Sequence, residues 1–303
     1  MTDDAVSTTS SSSSSASIDD VAQQEELLII NRIRQQFMLE VNKNFTKFYE
    51  KDIELVKKED WWTLRFIKWN RGNEEKALKQ MLQAFQWRKT FELHDRTVND
   101  IPREFAKVAA VFPYGEDHKG RKVIYLRVKV YRRVQQLNLF FQQFVTGIVD
   151  HVDSDCGRKG FLCVFDVSDM GMTNIDFDFL QFLIQLLQNY YPYGLRYAIL
   201  YNVPKFVRPM WTLAKVFLGS SVRTFCFCNS AQEISKYIPI QYIPRYMGGE
   251  SDFDFTDFEE VRNAPSVTEI GPKFGFSQAE VKKYYKMFES NILEAQKLVQ
   301  RVS

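Results

Sequence analysis

The apolar run Gly160–Asp166 (GFLCVFD) leads into Asp166-Val167-Ser168-Asp169, the strongest catalytic-looking cluster in the chain. Carboxylates at the carboxyl end of a buried strand sit where α/β sheets place ligands. An aspartyl phosphotransferase needs its second aspartate two residues after the first, and that position is Ser168. The competing reading is a turn and helix cap ahead of the next helix. His94, His118 and His151 are scattered and offer no triad partner. Neither a G-x-S-x-G elbow nor a Gly-rich phosphate loop is present. Cys156, Cys163, Cys226 and Cys228 show no zinc-ligand spacing. Cys156-Gly157-Arg158 is too tight for the anion loop of a cysteine phosphatase and precedes the strand, so it reads as a helix-to-strand loop. Cys226 and Cys228 read as strand residues facing one side. The four thiols are expected to be free and buried, in a reducing compartment. The expectation is a protein that is not an enzyme, with no catalytic residue, metal or cofactor; Asp166 and Asp169 carry the enzymatic alternative.

Aromatic content is the unusual feature of the composition. There are 26 Phe, 14 Tyr and 5 Trp in 303 residues, or 15%. Mean hydropathy is nevertheless −0.31, and no apolar run approaches the roughly 18 residues that a membrane-spanning helix needs. Much aromatic surface must therefore be hidden inside a soluble fold. Net charge is +2. Residues 1–26 hold six acidic and no basic residues, leaving 40 basic and 32 acidic in the rest, a net of +8. That imbalance suits an anionic surface or ligand and is too weak for a nucleic-acid binder; an uncommitted solvated surface fits it equally. No secretory signal, myristoylation glycine or prenylation box is visible, so a cytoplasmic location is expected.

The elements that would hold these residues follow from periodicity. Residues 1–24 form a Ser-rich acidic tail that should be disordered. A helical unit spans 25–109. Its first helix runs from Glu25 to about Leu55 on Leu28, Ile29, Ile33, Phe37, Val41, Phe45 and Phe48. Asp60 is read as the N-cap of a second helix to Trp69, and Asn73 as the cap of a third, Glu74–Phe91. A short helix lies near Arg103–Ala109. From Val111 the pattern becomes strand, turn at Asp117–Gly120, strand, then helix 136–153. Next come strand 160–166, helix 177–190, strand 196–201, helix 207–218 and strand 223–228. Such alternation implies right-handed crossovers and a largely parallel sheet, giving an α/β lobe over 110–260. The extension 261–303 ends in a helix opened by a Ser277/Glu280 capping box. Its Val281, Tyr285, Phe288 and Ile292 share a face beside Lys282, Lys283 and Lys286, for docking on the body or for touching a membrane.

The segment Lys205–Leu218 (KFVRPMWTLAKVFL) is apolar around more than half its circumference. Phe206, Met210, Leu213 and Phe217 form one stripe, and Val207, Trp211, Ala214 and Leu218 another. Two readings fit. One is a buried core helix; the other is a helix over an apolar cavity that swings out to meet a bilayer, with Trp and Lys/Arg at its margins.

In the order of its motifs the chain resembles CRAL-TRIO lipid-binding proteins, most like the CRAL-TRIO part of motile-sperm-domain-containing proteins, over about residues 25–260. The resemblance rests on LRFIKWNRGNEEKALKQMLQAFQWRK (Leu64–Lys89), GRKVIYLRV, FDVSDMG (Phe165–Gly171) and NYYP (Asn189–Pro192). It continues through Asn202-Val203-Pro204, the following helix and YIPRYMGG (Tyr242–Gly249). It implies a helical unit on an α/β lobe whose largely parallel sheet and crossover helices form a lipid pocket. Inside would sit one lipid or other lipophile, gated by the helix after N-x-P. Pocket and gate then fall on Phe206, Val207, Met210, Trp211, Ala214, Phe217 and Leu218. The family's phosphatidylinositol binders place a basic residue after the gate, here Arg223, and an acidic one after Tyr-Tyr-Pro, here Tyr193. A basic pair near the L-R-F helix falls on Asn70-Arg71, so only Arg71 keeps charge. Arg223 and Arg71 are thus the anionic-headgroup candidates, and the absent acid argues against inositol-hydroxyl recognition. A sixteen-carbon chain exposes on the order of 13 kcal/mol of apolar cost in water, so a carrier must enclose it. The expected partners are a lipid and, transiently, a membrane surface, and not nucleic acid. The alternative is a protein-interaction or membrane-recruitment module of the same fold that carries no lipid.

Overall fold

A computed structural model describes residues 18–97, 100–207 and 224–300. The helical unit begins with α1 (Ile18–Lys43), α2 (Glu50–Lys58), α3 (Trp61–Trp69) and α4 (Glu74–Thr90). Ile33, Phe37 and Val41 of α1 are buried against Trp62, Phe66, Met81 and Phe85. Asn73 caps α4 as its side chain accepts from the Lys76 amide at 2.9 Å. Three expectations fail here. The first helix begins at Ile18, so the last seven residues of the tail expected over 1–24 are helical. The first helix is not continuous to Leu55: it stops at Lys43, and Asn44 leaves helical dihedrals. The break turns Phe48 into the core and leaves Phe45 52% exposed; Leu28, within α1, faces away from the core at 66% exposed. Asp60 is no cap either: it is itself helical, and its carboxylate pairs with Arg34 at 2.6 Å.

After the short α5 (Glu104–Lys107) the sheet begins, with β1 (Val111–Glu116), β2 (Lys122–Arg127), β3 (Phe161–Asp166), β4 (Leu195–Tyr201) and β5 (Phe225–Cys228). Strand order follows chain order; β1 is antiparallel to β2, and the remaining pairs are parallel. The mostly parallel α/β architecture is thus as expected. Helix α6 (Asn138–Cys156) connects β2 to β3, and α7 (Phe177–Gln185) connects β3 to β4. The expected helix 177–190 is present, as α7 followed without a break by a wider helical turn over Leu186–Tyr190. That turn presents the carbonyls of Gln188 and Asn189 to Gln80 Nε2 at 3.0 and 3.1 Å, and stacks Tyr190 on Trp87 with centroids 3.8 Å apart.

Side chains alternate across the strands, so each sheet face has its own core. Leu162, Val164, Ile199 and Tyr201 face a layer built from residues 231–258 and the end of the C-terminal helix (Gln278–Gln300). Cys163, Phe161, Leu126 and Phe165 face α6 and α7. The strand β3 is buried on both faces, as its unbroken apolar run requires. The closing Gly-Gly of YIPRYMGG has a steric cause: Gly248 is left-handed at φ 87°, and a Cβ on Gly249 would strike the Ile243 carbonyl oxygen. Ser277 and Glu280 form the expected box, with Ser277 N donating to Glu280 Oε2 at 2.8 Å and Glu280 N to Ser277 Oγ at 3.3 Å. The C-terminal helix docks on the body, but through Tyr284, Phe288 and Ala295; Tyr285, expected on that face, is 39% exposed. Its register is set by the groove between α5 and α6, where Phe288 meets Phe105 at 5.8 Å.

Candidate functional site

The face of the sheet toward α6 and α7 does not close. A cavity of about 320 Å³ lies between Leu126, Phe165 and Leu200 on the sheet and Phe179, Leu183 and Leu187 on α7 and its extension. That volume is within the range of roughly 300–1,000 Å³ of ligand pockets. Trp69 of α3, from the helical unit, and Tyr193, just before β4, reach its edge, and their rings meet edge-on at 5.8 Å. Tyr193, where the resemblance led one to look for an acid, is therefore a wall residue here; its hydroxyl turns away, toward the Lys68 carbonyl at 3.5 Å.

The polar groups at the wall are engaged elsewhere. Asn174 Nδ2 donates to the Lys129 and Tyr131 carbonyls at 2.7 and 2.9 Å, and its Oδ1 accepts from Gly171 N at 2.7 Å. Asp176 caps α7 through the amides of Asp178 and Phe179 and accepts from the Tyr131 hydroxyl at 2.7 Å. Arg127 is 4% exposed; its Nη1 donates to the Val108 carbonyl at 3.2 Å, and Glu294 of the C-terminal helix lies 3.7 Å from Nη2. Nothing in the sequence had singled out Arg127; its signal is a charge that closes a strand whose middle, Val123–Leu126, is apolar.

The catalytic-looking groups do not assemble. Asp166 is buried, its pKa raised by that burial against the opposing Ser168 hydrogen bonds. Asp169 sits in a left-handed turn at φ 51°, its side chain 80% exposed and 3.6 Å from Lys129 Nζ. One carboxyl is thus under the sheet edge and the other in solvent, as a turn-and-cap cluster has them. All four cysteines are free; Cys156, Cys163 and Cys228 are buried and Cys226 is half-buried. Burial pushes the Cys228 thiol up to about 11 and raises Cys156 and Cys163 as well, which suppresses thiolate chemistry. Among the described residues no group of His, Cys, Asp and Glu could hold a metal ion, and no helix is long and apolar enough to cross a membrane.

Of the expected site residues, Val207 lines the cavity, and Phe206 beside it is 41% exposed. Arg71 is exposed in the left-handed turn between α3 and α4 and is off the cavity wall. Met210, Trp211, Ala214, Phe217, Leu218 and Arg223 lie outside the described residues.

A largely parallel sheet, open to a sizeable apolar cavity on one face and preceded by a helical unit, defines an α/β protein built around apolar volume. Residues 107–249 match the family model of the CRAL/TRIO domain. A CRAL-TRIO domain-containing protein of Schizosaccharomyces pombe is 28% identical over 236 residues, 73% of this chain and 65% of the relative. Phosphatidylinositol transfer protein CSR1 of Eremothecium gossypii is 23% identical across 64% of this chain and 48% of its own. Clavesin-1 of Rattus norvegicus is 23% identical over 65% of this chain and 59% of its length. The matches span between about half and two thirds of these relatives. The crystal structure of Sfh5 shares the fold, with a TM-score of 0.61 at 15% identity, covering 82% of this chain and 96% of that one.

Proposed function

We propose that the chain binds a single lipid or other lipophile in this cavity and transfers it between membranes without catalysing a reaction on it. The carrying observation is the cavity: a mostly apolar wall on which Asn174 and Asp176 are already hydrogen-bonded inside the protein. Such a wall rewards burial of hydrocarbon. The kinship with a named phosphatidylinositol transfer protein supports the same reading. The lobe over 110–260 is the binding part. The gate belongs to 207–218, by the double apolar stripe of that sequence, and Arg223 with Arg71 would meet an anionic headgroup. Such a carrier works in the cytoplasm with transient membrane contact. A module that carries no lipid would fill this space with its own Phe and Met side chains; the volume of about 320 Å³ between the described residues supports the carrier instead.

Native mass spectrometry after gentle purification should show a co-purifying lipophile, and vesicles should donate lipid to emptied protein. A pocket that stays empty in both experiments overturns the reading. The paired change Trp211→Asp with Phe217→Asp should abolish transfer and leave the fold intact; global unfolding would instead assign those residues to a core helix. Asp169→Asn should leave function unchanged.

A further inference from the structure

Two cavities flank one group of rings. A smaller chamber of about 40 Å³ lies toward the C-terminal helix, bounded on its far side by Phe105, Met287 and Phe288. Ala110, Tyr131 and Phe141 line both this chamber and the larger cavity, so their side chains form the partition between them. Tyr131 and Phe141 are joined by Phe179 in a closed triangle of ring contacts. The centroid distances are 5.4 Å for Tyr131–Phe141, 4.9 Å for Tyr131–Phe179 and 5.3 Å for Phe141–Phe179. The triangle is braced from outside. The Tyr131 hydroxyl is held by Asp176 at 2.7 Å, and the Tyr131 carbonyl by buried Asn174 at 2.9 Å. Three rings in mutual contact with one of them anchored make a stiff wall, where a single aliphatic side chain would change rotamer.

We propose that the Tyr131–Phe141–Phe179 partition is the depth stop of the larger cavity and sets the longest acyl chain the protein accepts. This rests on the lipid-binding reading above. A chain end that meets the partition must fold back or leave methylenes outside, and each methylene left in water weakens binding roughly fourfold. Phe141 is the decisive ring, because it faces both spaces and its far edge meets Phe105 at 5.6 Å. Beyond it lie Met287 and Phe288, outside the residues 107–249 that match the CRAL/TRIO model. On that side the smaller chamber is bounded by this chain's own C-terminal helix, while Arg132, which is exposed, and Asn138 also line it.

The test loads full-length protein from phosphatidylinositol vesicles, and in parallel from phosphatidylcholine vesicles, each holding equal amounts of increasing saturated chain lengths. Native mass spectrometry reads the bound distribution. Phe141→Ala should shift it to longer chains, each added methylene favoured roughly fourfold until the smaller chamber is full. Phe141→Trp should shift it to shorter chains, and Tyr131→Phe, which releases the brace, should broaden it. The opposite signs of the two Phe141 variants separate a depth stop from simple loss of stability. A wild-type distribution in both loaded Phe141 variants overturns the proposal, as does lower loading with no change in length. If wild-type protein takes up no member of either series, it is the lipid-binding reading that fails.

Discussion

Where the helical unit meets the α/β lobe, charged side chains are sealed from water; a short distance away, the cavity wall has almost no polar atom to offer. At the seam, Arg65 grips Asp153 with both terminal nitrogens, at 2.6 and 2.9 Å, and donates from Nε to the Pro192 carbonyl at 2.8 Å. Both side chains are fully buried. Arg88 bridges Asp52 at 2.8 and 3.0 Å, Asp150 at 2.7 Å and the Tyr191 hydroxyl at 2.8 Å. The cavity is walled by rings and aliphatic chains instead. Directional bonds fix the two units in one arrangement, because a buried charge that loses its partner is heavily penalised. Apolar contacts carry no such direction, so a hollow persists only where its flanks are held from elsewhere. The seam is thus the frame that allows the cavity to stay open.

Four measurements bear on that contrast. Asp153→Ala leaves Arg65 buried without its partner and should lower stability by about 3–5 kcal/mol in urea unfolding; a loss below about 1 kcal/mol would remove the seam from the account. Acid should act on the seam next. Burial pushes the Asp52 carboxyl up, but the His94 and Arg88 hydrogen bonds outweigh it and hold its pKa below the ordinary value of 3.8. A depressed folded pKa stabilises fully above the unfolded value and is lost as pH falls through the folded one. Stability should therefore fall below about pH 4, and the fall should be shallower in Asp52→Asn. At the cavity, Leu183→Ala should cost only about 1–2 kcal/mol, the transfer part without a new void; a loss as large as Asp153→Ala would mean the wall is packed like a core. The smallest effect is expected for Leu183→Trp, whose ring enters existing space. Its melting temperature should stay near that of wild type while lipid uptake falls, whereas an overpacked core would lose about 1–3 kcal/mol.

The resemblance marked Arg65 and Arg88 only as letters of a helical motif, and the contacts give them a reason: they are the two clamps of the seam. Features decided within a few residues were legible beforehand. The Asn73 cap and the Ser277/Glu280 box depend on neighbours in sequence, and strand β3 announces its double burial in its own unbroken apolar run. What was misread depended on distant partners. Asp60 has the residue type of a cap, but Arg34, brought close by α1, takes its carboxylate. Tyr284, and not Tyr285, faces the body, because helical period alone leaves the face uncertain by one residue and the groove chooses. Tyr193 was noted only as a missing acid; its pairing with Trp69 at the cavity edge joins residues 124 positions apart.

Composition and order of motifs by themselves determined that the rings must be buried, that a mostly parallel α/β sheet follows a helical unit, and that the CRAL/TRIO pattern runs through it. Those are statements about periodicity and local steric demand, which the chain carries in every conformation. Only the tertiary structure decided that one face of the sheet packs shut, with Phe112 stacked on Tyr125 at 5.3 Å and on Phe255 at 4.9 Å, while the other keeps a hollow. The same kinds of residue line both faces. Whether they interlock or stand apart depends on how far the flanking helices are held from the strands, and that distance is set by contacts between residues remote in sequence.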